Sequence, residues 1–260
     1  MKLTYDISTL VPYINWAYFY FAWQLKDEAN KQRMRSEAES FLASIQGKYY
    51  AHALFKIVDA HAEGDDIIIE ENGKRLPFLR QQEANSEFLC LADFISGEAD
   101  KVGLFATSVD AGMETDFDDD PYEKMMAQLL ADRLAEAAAE RMHEEVRKHY
   151  WGYAKDENLS IHDMQLEKFV GIRPAVGYPS LPDASLNFLL DELLQFKQIG
   201  IRLTENGAMK PHASVSGLMI AHPAARYFSI GKIGDDQLHD YARRRGLPVS
   251  LLRKFLSSHL

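Results

Sequence analysis

The order of apolar and polar positions divides the chain into helical and strand-like stretches. From Trp23 to Gln46 it is charged, contains Ala and lacks Gly and Pro, which predicts a helix. An aromatic cluster of Tyr13, Trp16, Tyr18, Phe19, Tyr20, Phe21 and Trp23 leads into it. Each ring buries a large area, so the cluster reads as core or interface. Residues 52–81 alternate or run apolar between the turn signals Gly64-Asp65-Asp66 and Asn72-Gly73, predicting successive hairpin strands. The apolar runs 88–95 and 101–109 extend the same sheet.

A long helix follows, with Asp120 as its cap, Pro121 in its first turn and an end near Tyr150. Met126, Leu130, Leu134, Ala137, Ala138, Met142 and Val146 form its inward stripe, and Arg147, Lys148 and His149 carry the charge that suits a helix C-terminus. A helix from about Ala184 to Ile199 ends at Gly200, a C′ residue. Strands are expected in 201–211, 214–223 and 226–233, and two short helices, 234–246 and 248–258, close the chain. Alternating helices and hairpins with few parallel crossovers give an α+β fold: a twisted, mainly antiparallel sheet flanked by helices.

At 260 residues and 47% hydrophobic content the chain supports a sizeable core, and residues 1–260 read as one domain. The net charge of −10 argues against a nucleic-acid surface, even though Arg243, Arg244 and Arg245 sit beside a helix-turn-helix-like pair. It suits a cationic ligand or a basic partner. No apolar run approaches the roughly 20 residues of a membrane span, and the N-terminal pattern does not fit a signal peptide, so a cytoplasmic location is expected. Cys90 is the sole cysteine, and its apolar setting reads as a buried strand thiol.

Two metal-like patterns dissolve on inspection. His143-Glu144 begins like HExxH, but position 147 is arginine, and the acids from Asp116 to Asp120 lack the glycine and terminal glutamate of a calcium loop. No nucleophile and base pair, P-loop or GxGxxG appears, so the chain offers binding rather than catalysis of its own. The candidate site is the stretch GIRPAVGYPSLPD, Gly171 to Asp183. Its prolines fix φ and remove donors, which stiffens the support that presents the Arg173 guanidinium to a carboxylate or phosphate. Gly177 and the peptide groups of Ala175 and Val176 can lie against a flat ligand. In a strand Tyr227 and Phe228 would point to opposite faces, leaving Tyr227 to contact the ligand and Phe228 to pack beneath.

That loop, with YINW at 13–16, LADRLAEAAAERMHEEVRKHYWGYA at 130–154, SVSGLMIAHPAARYFSIGKI at 214–233 and DYARRRGLPVSLLRKFL at 240–256, resembles the activation domain of cobalamin-dependent methionine synthase over nearly the whole chain. The resemblance implies the same α+β fold and an S-adenosylmethionine site carried by Asn15, Arg173 with Ala175 and Gly177, and Tyr227 with Phe228. It also implies a role in reductive methylation of cob(II)alamin, with cobalamin held by a separate methionine synthase chain and electrons from flavodoxin or another reductant. Two positions depart from the family pattern. Asn15 stands where the family has aspartate, and Phe228 replaces the second tyrosine of a pair; Glu136 and Glu167 could restore the lost negative charge. The alternative is a ligand-sensing or interaction protein that keeps the fold without reactivation, which Asn15 favours.

Overall fold

The computed structural model describes residues 1–83 and 87–260. The strands are β1 (Lys2–Asp6), β2 (Tyr50–Glu63), β3 (Asp66–Ile69), β4 (Lys74–Pro77), β5 (Asp100–Val109), β6 (Arg202–Leu203), β7 (Met209–Lys210) and β8 (Ser214–Met219). The α-helices are α1 (Ile7–Leu10), α2 (Trp16–Ala22), α3 (Glu28–Ser44), α4 (Gly112–Thr115), α5 (Pro121–Glu145), α6 (Ile161–Gln165), α7 (Leu186–Leu194), α8 (Asp235–Arg245) and α9 (Val249–Phe255). Among the described residues the main sheet runs β4-β3-β2-β5-β8, with β1 on the first half of β2. Every pairing in it is antiparallel. The fold is therefore α+β, a curled antiparallel sheet with flanking helices. No helix among the described residues is long and apolar enough to cross a membrane.

Period-two alternation sorts side chains to the two faces of the sheet. From β2 and β5, Ala51, Ala53, Phe55, Phe105 and Val109 turn toward α3 and α5. Leu54, Val58, Val102, Leu104 and Ala106 turn the other way, toward α7 and the segment around Cys90. The buried stripe of α5 includes Ala127, Ala131, Ala135 and Ala138, whose small side chains let the helix lie close to the sheet. The Thr107 hydroxyl donates across that contact to the Ala135 carbonyl at 2.9 Å. Leu130 and Leu134 are fully buried between these alanines, each contributing roughly 1.5–3 kcal/mol. The α5 N-terminus forms as its sequence directs: Asp120 accepts from the N–H groups of Tyr122 and Glu123 at 2.8 and 3.3 Å.

Five expectations need correction. The helix expected over Trp23–Gln46 is interrupted: α2 ends at Ala22, Gln24 takes a left-handed φ of +54°, and Asp27 caps α3 by accepting from the Asn30 N–H at 2.9 Å. The left-handed turn at Gln24 and the cap at Asp27 delay the start of the expected helix to Glu28. Cys90 is buried, but it makes only an isolated bridge to Arg80 and then opens a 3₁₀ turn, Leu91–Phe94, in which its N–H donates to Asp93. Residues 226–233 form no strand, since they find no ladder partner among the described residues. The helix expected from about Ala184 to Ile199 is broken, for α7 ends at Leu194, Gln195 takes a left-handed φ of +59° and a 3₁₀ turn covers Phe196–Ile199. Conversely β1, which periodicity left unassigned, is held by pairing with β2.

Candidate functional site

The middle of α5, the aromatic N-terminal segment and the Pro-rich loop enclose a cleft of about 500 Å³. The loop is attached to the sheet by its main chain. Ile172 and Ile220 exchange hydrogen bonds of 2.9 Å, Leu218 N–H donates to Pro174 O at 3.0 Å, and Val176 N–H donates to Ser216 O at 2.9 Å. Two glycines make this approach feasible. A Cβ on Gly217 would stand 2.1 Å from the Pro174 carbonyl, and one on Gly171, whose φ is +84°, would stand 2.3 Å from that of Ile220. Because Pro174 O and Val176 N–H point at β8, the intervening Ala175 N–H points the other way, as alternation in an antiparallel pair requires.

The ionisable lining groups are unusually dense for so enclosed a space. Arg173, with 15% of its side chain exposed, donates from Nη2 to Glu140 Oε2 at 3.0 Å and from Nη1 to the Ala139 carbonyl at 2.7 Å. Its backbone N–H donates to the Tyr227 hydroxyl at 2.9 Å. Burial works against the Arg173 cation, but Glu140, Tyr227 and Glu136 together outweigh it and the guanidinium pKa rises. Glu140 Oε1 is buried and takes no partner among the described residues. One turn away Glu136 accepts from the Tyr178 hydroxyl at 2.9 Å and lies 3.7 Å from Arg133. Burial and that carboxylate push the Tyr178 phenol up to about 12. Glu167 sits at a left-handed φ of +57°, and burial raises its carboxyl pKa against the pull of Arg173. Three carboxylates thus face two guanidinium groups, leaving the cleft with one surplus negative charge.

The family described as "Vitamin B12 dependent methionine synthase, activation domain" matches residues 6–246. The chain belongs to this activation-domain family. It is also similar to the solved structure described as "Crystal Structure of the MetH Reactivation Domain bound to AdoHcy". That similarity has a TM-score of 0.94 at 37% identity and covers 100% of this chain and 90% of the other.

Within this activation domain the sequence-derived positions separate into two groups. Asn15, Arg173, Ala175, Tyr227 and Phe228 all border the cleft, as do Glu136 and Glu167. Gly177 does not: its φ of +90° shapes the adjacent turn, where its N–H donates to Leu181 O at 2.8 Å. Asn15 caps α2, its Oδ1 accepting from the Ala17 N–H at 3.2 Å. Arg173 is internally paired, so a ligand anion would share it with Glu140. The expected division between Tyr227 and Phe228 fails because there is no strand to alternate them, and both reach the lining. Sequence reasoning missed Glu140, Tyr178, Tyr13 and Tyr18. The i,i+4 spacing of Glu136 and Glu140 on α5 was the available signal for the first.

Proposed function

We propose that this activation domain binds S-adenosylmethionine in the cleft and presents its methyl group to a cobalamin carried by a separate methionine synthase chain. The observation that carries the reading is the surplus negative charge of the lining. S-adenosylmethionine bears a carboxylate, an ammonium and a sulfonium, a net single positive charge, so it complements the cleft even with Asn15 in place of an acid. Arg173 meets the carboxylate, and Glu140 Oε1, which has no partner among the described residues, provides an acceptor for an ammonium donor. The outward Ala175 N–H and the rings of Tyr178, Tyr227 and Phe228 offer a donor and faces for adenine. Glu136 and Glu167 favour the sulfonium electrostatically. AdoHcy, the ligand of the related MetH structure, lacks the sulfonium charge and is the natural comparison.

Tyr18 and Tyr178 of the lining are 59% and 50% exposed, and Phe21, three residues after Tyr18 on α2, is 82% exposed. These rings suit a flat macrocycle brought by a partner, and the domain then contributes proximity and orientation. With cobalamin bound, the partner would supply a cobalt centre that, once reduced by one electron from flavodoxin or another reductant, could take the methyl group and leave AdoHcy in the cleft. This chain holds and orients the donor.

Calorimetric titration with S-adenosylmethionine tests the reading, using wild type, Arg173→Lys and Asn15→Asp. Saturable binding that weakens in the first variant and tightens in the second is expected, since aspartate keeps the cap and adds charge. Absence of binding in all three would sink it and favour the interaction-protein alternative. Where binding is seen, a corrinoid methionine synthase supplied in trans with a reductant tests the reactivation step.

A further inference from the structure

The outer wall of the cleft comes from residues 151–170, which have little regular structure apart from α6 and pair with no strand. Met164, Glu167 and Phe169 from this segment nevertheless reach the lining. A charge cluster beneath the cleft holds them there. The Arg147 side chain, carried on a π-helical turn (Val146–Tyr150), is fully buried. It donates from Nε to both Glu157 oxygens at 3.0 and 3.1 Å and from Nη2 to Oε1 at 2.7 Å. Nη1 donates to His143 Nδ1 at 2.9 Å. A guanidinium only donates, so the His143 proton is on Nε2, which lies 3.3 Å from the Tyr153 hydroxyl. The Arg147 guanidinium also lies 4.4 Å above the centre of the Phe169 ring, and His143 meets the same ring edge-on at 5.0 Å. Nη2 is 3.6 Å from Met164 Sδ.

Burying an ion pair is a poor route to stability, because desolvation offsets the attraction. Its value lies in direction: a guanidinium fork fixes two carboxylate oxygens, and its flat face fixes a ring. We infer that Arg147 is a positioning residue for the ligand cleft, clamping Glu157 and seating Phe169 so that the wall carrying Met164 and Glu167 stands at a fixed distance from Arg173. This inference rests on the ligand-binding reading above.

The test titrates AdoHcy and S-adenosylmethionine into wild type, Glu157→Gln and the paired change Arg147→Met with Glu157→Leu. Thermal unfolding and hydrogen exchange of peptides covering residues 158–170 are followed in parallel. Leu252→Ala, in the buried C-terminal cluster, is the control for lost stability alone. Both wall variants should exchange faster across 158–170 and bind about tenfold more weakly. The apolar pair should recover thermal stability without recovering affinity. Leu252→Ala should lose stability and keep its Kd. Native exchange and affinity in the paired variant would overturn the inference, as would an equal affinity loss in Leu252→Ala or general unfolding of both wall variants. Should wild type bind neither ligand, the binding reading fails separately. Exchange then decides the clamp: faster exchange confined to 158–170 supports it, and unchanged exchange removes it.

Discussion

The Tyr178 hydroxyl donates to Glu136 across the cleft at 2.9 Å, joining the Pro-rich loop to the long helix. This bond places a carboxylate where a positive ligand would meet it, with Arg133 of the same helix as a longer ion-pair partner at 3.7 Å.

Glu136→Gln should therefore discriminate between ligands. Affinity for S-adenosylmethionine should fall by about 1 kcal/mol, roughly fivefold, while AdoHcy affinity changes little. Calorimetry with both ligands checks this, and an equal loss for both would mean that the carboxylate acts by shape rather than charge.

Arg173→Ala leaves Glu140 buried without its partner, so it should cost about 3–5 kcal/mol in urea unfolding as well as abolishing ligand binding. Arg173→Met combined with Glu140→Leu should regain most of that stability and none of the binding. A mild effect of the single change would show that water reaches Glu140.

Gly217→Ala tests the attachment of the loop. With 2.1 Å between the new Cβ and the Pro174 carbonyl, strand and loop must separate, at about 1–3 kcal/mol. Ligand affinity should fall with it, read by titration beside the unfolding curve. Unaltered affinity would mean that the loop holds its place through side chains alone.

His143 predicts a pH dependence. Burial first, then Arg173 and Arg147, hold its pKa well below 6.5. As pH drops below about 6.5 the unfolded chain takes up a proton here that the folded chain refuses, so stability is intact above that pH and falls beneath it. The slope approaches about 1.4 kcal/mol per pH unit for this one group. His143→Gln should flatten the decline in urea midpoint between about pH 7 and pH 5.5. If the variant retains the wild-type slope, another group is responsible.

What the sequence revealed depended on how local the signal was. The cap at Asp120 and the hairpin turns are decided within a few residues, and both stand where the pattern placed them. Arg173 was visible because prolines and glycines around it restrict the backbone. Its pairing with Glu140 was not, because the partner is 33 positions away on another element. The 226–233 segment reads as a strand by composition, yet Tyr227 is held through its hydroxyl to the Arg173 N–H rather than through a ladder. β1 shows the converse, a short polar-flanked stretch made into a strand by the register of β2. Asn15 joined both limits: its capping role is local, whereas its place at the cleft is tertiary.

The seam between residues 172–176 and β8 also governs how the molecule behaves toward its own copies. β8 is the last strand on its side of the sheet, and an uncovered last strand presents a row of free amide groups that templates association. The segment that walls the cleft occupies that row. Substitutions that loosen it should therefore make the protein aggregate as well as weaken its grip on a ligand, linking solubility to binding through one set of main-chain bonds.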